Sequence, residues 1–266
     1  FRADRSIREN LLQAVATPTA RLYVEPHTVF AAHHASYDAT QAFGVLRAIA
    51  RGHHRWSEIA TTAGLSATQL GRVIEPLIGD LGLVERVLPV TERRESRTYR
   101  TQYHLTDNFF RFWFRFIEPD QGQIEFGDGE RVVDGIVAQL SEYMGLPFKA
   151  ICRDWVRLAS AVGALPERVA AVGAWWSSDH QIDVIGLDAA RRVAITGECK
   201  WRNQGFGWDD LQTYLGHVQA LAQAAPVHPD VLHVLFSKQG FAERVQAWAD
   251  GTRARLLSPA DLLAPP

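Results

Sequence analysis

Three residues in the second half of the chain have the types and spacing for phosphodiester chemistry: Asp183, Glu198 and Lys200. Asp183 sits within Ile182-Asp183-Val184, and Glu198-Cys199-Lys200 closes an apolar run that begins at Val193. Residues two apart on a strand share a face, so Glu198 and Lys200 point one way and Cys199 the other. A hairpin between the two runs brings Asp183 beside Glu198. Paired carboxylates repel unless a cation lies between them, and such hard oxygen ligands suit Mg²⁺ or Mn²⁺. A lysine on the same face positions an attacking water or stabilises charge on a phosphate. The trio therefore reads as a catalytic set, with Asp183 and Glu198 as metal ligands and Lys200 assisting the water. The competing reading is an inert site in which Lys200 simply pairs with a carboxylate.

A second set suits duplex DNA. Leu70, Val73, Ile74 and Leu77 form an apolar stripe, and Thr68, Gln69, Arg72 and Glu75 lie off it. Gln matches adenine edges and Arg guanine edges in a major groove. Arg93, Arg94 and Arg97 in the following polar turn are placed to reach phosphate or a minor groove. Residues 43–118 hold 11 Arg against eight acidic residues, a surplus of three. Against DNA stand Glu75, Glu92 and Glu95, which repel phosphates, and Pro76, which interrupts the candidate recognition helix. Docking onto another protein domain is the alternative.

The elements that must position these residues follow from periodicity. Residues 6–16 read as helix, with a break at Pro18. Phe43, Leu46, Ile49 and Ala50 fall at helical spacing before Gly52, and 56–63 reads as a short helix broken by Gly64. Ser66 with Gln69 three residues on is a capping-box signal. A Val- and Leu-rich stretch, 83–90, and a stretch carrying Tyr99, Tyr103 and threonines, 97–105, flank a polar turn, so the order is helix, helix, turn, helix, hairpin, that of a winged helix-turn-helix. Asp107 then caps an aromatic helix expected to end before Pro119. Residues 120–129, with three glycines, read as a linker. Beyond it, helices are expected at 132–143 and 147–162, strands at 169–176, 181–187, 192–199 and 231–236, and helices at 208–224 and 240–249. That mixture implies an α/β domain around a sheet.

The whole composition fits such a chain. Its 266 residues suit one large or two modest domains, and 47% hydrophobic with 22% charged residues excludes collagen-like and largely disordered classes. A net charge of -2 gives no global drive toward nucleic acid or membrane. No apolar run reaches membrane-helix length and no signal-peptide pattern opens the chain, so a cytoplasmic location is expected. Cys152 and Cys199 are too few for a disulfide framework, and without CxxC they do not suggest zinc. The adjacent pairs His33-His34 and His53-His54 point apart on a helix and make no two-ligand site. Trp175, Trp176, Trp201 and Trp208 read mostly as core, with base stacking as the alternative. The chain opens on Phe1, as a piece of something longer would.

Asp183 followed by Glu198-Cys199-Lys200-Trp201 resembles the PD-(D/E)XK nuclease superfamily, the restriction-endonuclease-like fold. More narrowly, 103–108 with the aromatic run 109–114, Gly173-Ala174-Trp175-Trp176, Ile182-Asp183-Val184 and Glu198-Cys199-Lys200-Trp201 resemble the C-terminal region of a prokaryotic AAA+-type ATPase family. The resemblance implies an ATPase-lid remnant over 1–42, a winged helix-turn-helix with its aromatic helix over 43–119 and a nuclease-like α/β domain over 130–266. Its implied partners are double-stranded DNA and an ATPase module or other protein, with no membrane. Two departures stand out. No G-x-x-x-x-G-K-[ST] phosphate loop occurs. The Glu that the family places after a Phe in the helix before the strands is replaced here by Lys149, after Phe148, with Glu142 two turns earlier as the nearest acid. The family also tends to have Glu at the position of Gln181. The expectation is a DNA-binding protein with a degenerate or weakly active nuclease-like domain; an active Mg²⁺-dependent endonuclease and a protein-docking module are the alternatives.

Overall fold

The structure, a computed structural model, describes residues 2–31, 38–93 and 98–264. The chain is a mixed α/β protein that divides into two compact units, one formed by Phe1–Val87 with Thr101–Leu140 and the other by Leu88–Arg100 with Ser141–Pro266.

The first unit opens with α1 (Ile7–Ala14) and α2 (Arg21–Ala31), then α3 (Ala39–Ala50), α4 (Trp56–Ala63), α5 (Ala67–Gly79), β1 (Val84–Val87) and β2 (Gln102–Leu105). Ser6 caps α1 and Asp38 caps α3, each side chain accepting backbone N–H groups of the first turn. Gly64 ends α4 in a left-handed conformation with φ of 67°. α5 is started by the Ser66–Gln69 capping box and runs through Pro76 to Gly79, so the proline does not break it. Its stripe of Leu70, Val73, Ile74 and Leu77 is buried, as the spacing implied. β1 and β2 pair antiparallel with Val84 opposite Leu105.

Asp107 caps α6 (Asn108–Phe112), accepting from the N–H groups of Phe109 and Phe110. The aromatic segment then widens into a π-helical turn over Trp113–Ile117 and tightens into a 3₁₀ turn over Glu118–Asp120. It does not end at Pro119, because proline is tolerated in a first turn where its missing N–H has no partner to lose. Trp113 and Phe114 are fully buried, and Trp113 Nε1 donates to the Tyr23 carbonyl at 3.2 Å. The expected linker over 120–129 contains a short helix, α7 (Gln121–Glu125), and the first unit continues through most of α8 (Gly129–Tyr143).

The second unit is built on a five-stranded sheet of order β3-β4-β5-β6-β7. Its elements are α9 (Gly145–Ala161), β3 (Ala171–Trp176), β4 (Gln181–Leu187), β5 (Val193–Lys200), α10 (Trp208–Ala224), β6 (Val227–Ser237), α11 (Glu243–Asp250), β7 (Ala254–Leu257) and α12 (Pro259–Leu263). β3, β4 and β5 are antiparallel neighbours, whereas β6 and β7 add in parallel. α9 packs Phe148, Cys152, Trp155 and Val156 on one face against Val184, Ile195, Cys199, Val234 and Phe236. On the other, α10 packs Leu211, Tyr214 and Leu221 against Ile182, Ile185, Val193 and Leu235. Burial on both faces explains why these strands read as continuous apolar runs. No described helix is long and apolar enough to cross a membrane.

Candidate functional site

The site lies where β4 and β5 run side by side, with Val184 paired to Gly197. A side chain at Gly197 would collide with the Val234 carbonyl, so glycine lets β5 and β6 approach just before Glu198. Glu198 pairs with Leu235, whose side chain belongs to the α10 face, while Cys199 belongs to the α9 face. The alternation places Glu198 and Lys200 together and turns Cys199 away into the core, as their spacing implied.

Asp183 is 2% exposed. Its Oδ2 accepts from the Cys199 backbone N–H at 3.2 Å, and its Oδ1 accepts from Gln181 Nε2 at 2.9 Å and from Lys149 Nζ at 2.7 Å. Lys200 Nζ stands 2.8 Å from Glu198 Oε1. Each carboxylate thus has its own ammonium group. Burial opposes the charge on Lys149, but Asp183 and then Glu198 outweigh it and raise its pKa. Burial, then Asp183, push the Glu198 carboxyl up to about 7, although Lys200 and Lys149 pull the other way.

Three neighbours escaped sequence reasoning. Arg153, one helical turn after Lys149, donates from Nη1 to the Asp183 carbonyl at 3.1 Å. His180 and His217 face each other, Nδ1 to Nδ1, at 3.0 Å. Burial, then His180 and Lys200, lower the His217 pKa. The i, i+4 spacing of Lys149 and Arg153 was a readable signal for the first. The histidines are 37 positions apart and had none. Cys152 and Cys199 are both free and buried in one cluster; burial, then Cys152, raise the Cys199 thiol well above its ordinary range.

As arranged, the donor set does not suit a divalent cation. Both oxygens of Asp183 already accept hydrogen bonds, Lys149 brings a positive charge against them, and Glu142 is exposed on α8. Among the described residues, no three His, Cys, Asp or Glu side chains are grouped to hold a metal ion. The chemistry available is hydrogen-bond donation and positive charge from Lys149, Lys200 and Arg153.

The second set of residues is dispersed. Thr68, Gln69 and Arg72 are exposed on α5, with Glu75 also exposed. Gln69 Oε1 accepts from the Ser66 backbone N–H at 2.9 Å, which commits part of its amide to the cap. Arg93 is exposed, and Arg94 and Arg97 lie outside the described residues, as do His33 and His34. Residues 88–93 and 98–100, on either side, belong to the second unit, and Val90 and Arg100 bond the outer edge of β3. Val90 N–H donates to the Ala174 carbonyl at 2.9 Å, and a Cβ at Gly173 would stand only 2.8 Å from Val90 Cβ. Trp176 Nε1 donates to the Arg100 carbonyl at 2.9 Å, and Arg100 Nη1 to the Trp176 carbonyl at 3.4 Å. Arg191, in the turn between β4 and β5 at φ of 60°, points Nη2 at the carbonyls of Val90, Thr91 and Glu92 at 3.0–3.3 Å. Trp175 and Trp176 are buried; Trp201 packs on Phe148, and Trp208 lies under the Arg244 guanidinium.

A family described as archaeal and bacterial proteins of unknown function matches residues 113–213, from the π-helical turn through both site strands into α10. The uncharacterized protein MJECL04 of Methanocaldococcus jannaschii is 31% identical over 159 residues, 60% of this chain and 35% of that protein. The chain therefore spans about a third of the length of this relative. Among solved structures, the crystal structure of RV1404 from Mycobacterium tuberculosis aligns over 59% of this chain and 92% of its own, at 19% identity and a TM-score of 0.24, too slight a likeness to bear on the fold.

Proposed function

We propose that this chain is a DNA-binding protein whose second unit keeps a restriction-endonuclease-like architecture but no longer cleaves. The observation that carries the reading is the pairing of both strand carboxylates with ammonium groups, Lys149 with Asp183 at 2.7 Å and Lys200 with Glu198 at 2.8 Å. Lys149 supplies internally the positive charge that a Mg²⁺ or Mn²⁺ ion would bring. Supporting the fold assignment are Asp183 on β4, Glu198 and Lys200 on the adjacent β5, and helices on both faces of the sheet. Supporting DNA binding are three helices followed by an antiparallel hairpin, the order of a winged helix-turn-helix, and the exposed Thr68 and Arg72 four apart on α5. An ATPase module, supplied by a longer form of the chain or by a separate protein, is the partner that the sequence resemblance implies.

The test combines binding and cleavage. Fluorescence anisotropy with a labelled duplex should show salt-sensitive binding that Arg72→Ala weakens. Supercoiled plasmid should stay intact in Mg²⁺ or Mn²⁺. Metal-dependent nicking that Lys200→Ala abolishes would replace this reading with that of an active endonuclease.

One observation favours protein docking instead. Glu75 is exposed on α5 beside Thr68 and Arg72, where it repels phosphates. If duplex DNA does not bind at low salt, the helical unit is a docking module.

A further inference from the structure

His180 and His217 form a pair in the second unit that neither a DNA-binding surface nor the pairing of Asp183 and Glu198 with lysines requires. His180 ends the turn 177–180 between β3 and β4. That turn is closed at the backbone: the Ser177 N–H donates to the His180 carbonyl at 2.8 Å, and the His180 N–H to Ser177 Oγ at 3.3 Å. His217 is carried by α10, three residues after Tyr214 and four before Leu221, both of which pack on the sheet. Residues at those spacings share a helix face, so His217 is turned toward the strands. Two separately anchored elements thus hold two partly buried rings Nδ1 to Nδ1 at 3.0 Å, with their planes at 73°.

Imidazole nitrogens this close avoid repulsion between their lone pairs in one of two ways. One ring donates its proton to the other, or a cation takes the place of that proton between both lone pairs. The geometry suits the second. With metal–nitrogen bonds of about 2.0–2.1 Å, nitrogens 3.0 Å apart subtend an angle of roughly 95° at the metal. That is the angle between neighbouring ligands in square-planar or octahedral coordination, which Cu²⁺ and Ni²⁺ adopt. Imidazole suits such ions, whereas Mg²⁺ takes oxygen ligands. Burial, then His180 and Lys200, hold the His217 pKa below its ordinary value, which keeps the ring in the neutral form that binds metals. Lys200 and Asp183 act on it with opposite sign and partly offset each other. Among the described residues no third His, Cys, Asp or Glu completes a group around the pair, so the other coordination positions of an ion are open to water or to an outside donor.

We propose that His180 and His217 form a two-histidine site for a divalent transition-metal ion of the Cu²⁺ or Ni²⁺ type. A bound ion ties the β3–β4 turn to α10 and stabilises the folded second unit according to its occupancy. The test uses the full chain, without a polyhistidine tag and stripped of metal by EDTA and dialysis. Calorimetry with Ni²⁺ should show saturable binding, and saturation should raise Tm. Loss of even an outer-shell partner of a metal ligand costs on the order of tenfold in affinity, so His180→Ala and His217→Ala should each raise Kd by about tenfold or more and remove the rise in Tm. His180→Ala alters a turn and leaves the α10 packing in place, so it decides the matter if His217→Ala fails to fold. Electron paramagnetic resonance of the Cu²⁺-loaded chain should show coupling to two imidazole nitrogens, reduced to one in His180→Ala. His53→Ala, in the first unit, should bind Ni²⁺ as the parent does, and excess Mg²⁺ should not displace the ion. Absence of Ni²⁺ binding, an unchanged Kd in His180→Ala, a weakened one in His53→Ala or displacement by Mg²⁺ each overturns the site. None of these outcomes bears on DNA binding or cleavage, which plasmid and duplex assays decide separately.

Discussion

The two units use charge in opposite ways. In the first, ion pairs stand mostly at the surface, as between Arg8 and both Asp134 and Glu130, and the interior is aromatic, with Phe30, Phe43, Trp113 and Phe114 edge to face. In the second, charge enters the sheet itself: Asp183 is 2% exposed and Glu198 sits beside it. Surface pairs contribute little to stability, whereas buried charges are costly to hold and damaging to unpair. The first unit is thus held mainly by apolar packing. The second tolerates an electrostatic arrangement that packing alone would not select.

Four measurements break or sharpen this contrast. The largest effect is expected in the first unit. Trp113→Ala should cost about 3–5 kcal/mol in denaturant unfolding, since the ring is wholly buried and its N–H is bonded. Parent-like unfolding would show that apolar packing is not what holds that unit. Next, Lys149→Met should cost roughly 2–3 kcal/mol, because it leaves Asp183 buried without its ammonium partner; partial exposure of the lysine tempers the loss. Lys149→Glu should instead raise Mn²⁺ affinity in calorimetry, since each charge unit is worth on the order of a few kcal/mol at an effective dielectric near 20. Unchanged affinity in a folded variant would dissociate Lys149 from metal exclusion.

A third measurement concerns pH. The Glu198 carboxyl titrates near 7 in the folded protein against an ordinary value of 4.5, so the folded state binds the proton more tightly. Its contribution therefore makes stability fall as pH rises from about 4.5 to 7, by about 3 kcal/mol, and level off above. Glu198→Gln should flatten that slope, and an unchanged slope would assign it to other groups. The smallest effect belongs to Arg191. Arg191→Ala should cost about 1–2 kcal/mol through its lost carbonyl hydrogen bonds and speed proteolysis within 88–93. A cleavage rate equal to the parent's would mean that Arg191 does not restrain the loop.

Much of the site was legible because its signals are local. Alternation along β5 sorted Glu198 and Lys200 from Cys199, and Ser66 with Gln69 announced the start of α5. The paired order of Gln181–Leu187 and Val193–Lys200 likewise needed only a short turn. What escaped depends on distant residues. β7 is four residues long and becomes a strand only by pairing with β6. The His180–His217 contact joins the turn before β4 to α10. The bonds that Arg191 makes to the carbonyls of Val90, Thr91 and Glu92 are invisible in side-chain patterns, since they depend on a residue about 100 positions away. Pro76 suggests an interruption of α5 and Pro119 the end of the aromatic helix, yet the backbone accommodates both.

The loop along β3 also bears on inheritance. Leu88–Arg100 lies between two strands of the first unit yet belongs to the second. A single genetic breakpoint near residue 140 would leave the sheet's outer strand without Val90 and Arg100, its unsatisfied edge open to other chains. Recombination can therefore pass these two units on only as an interleaved pair, whatever lies on either side of them.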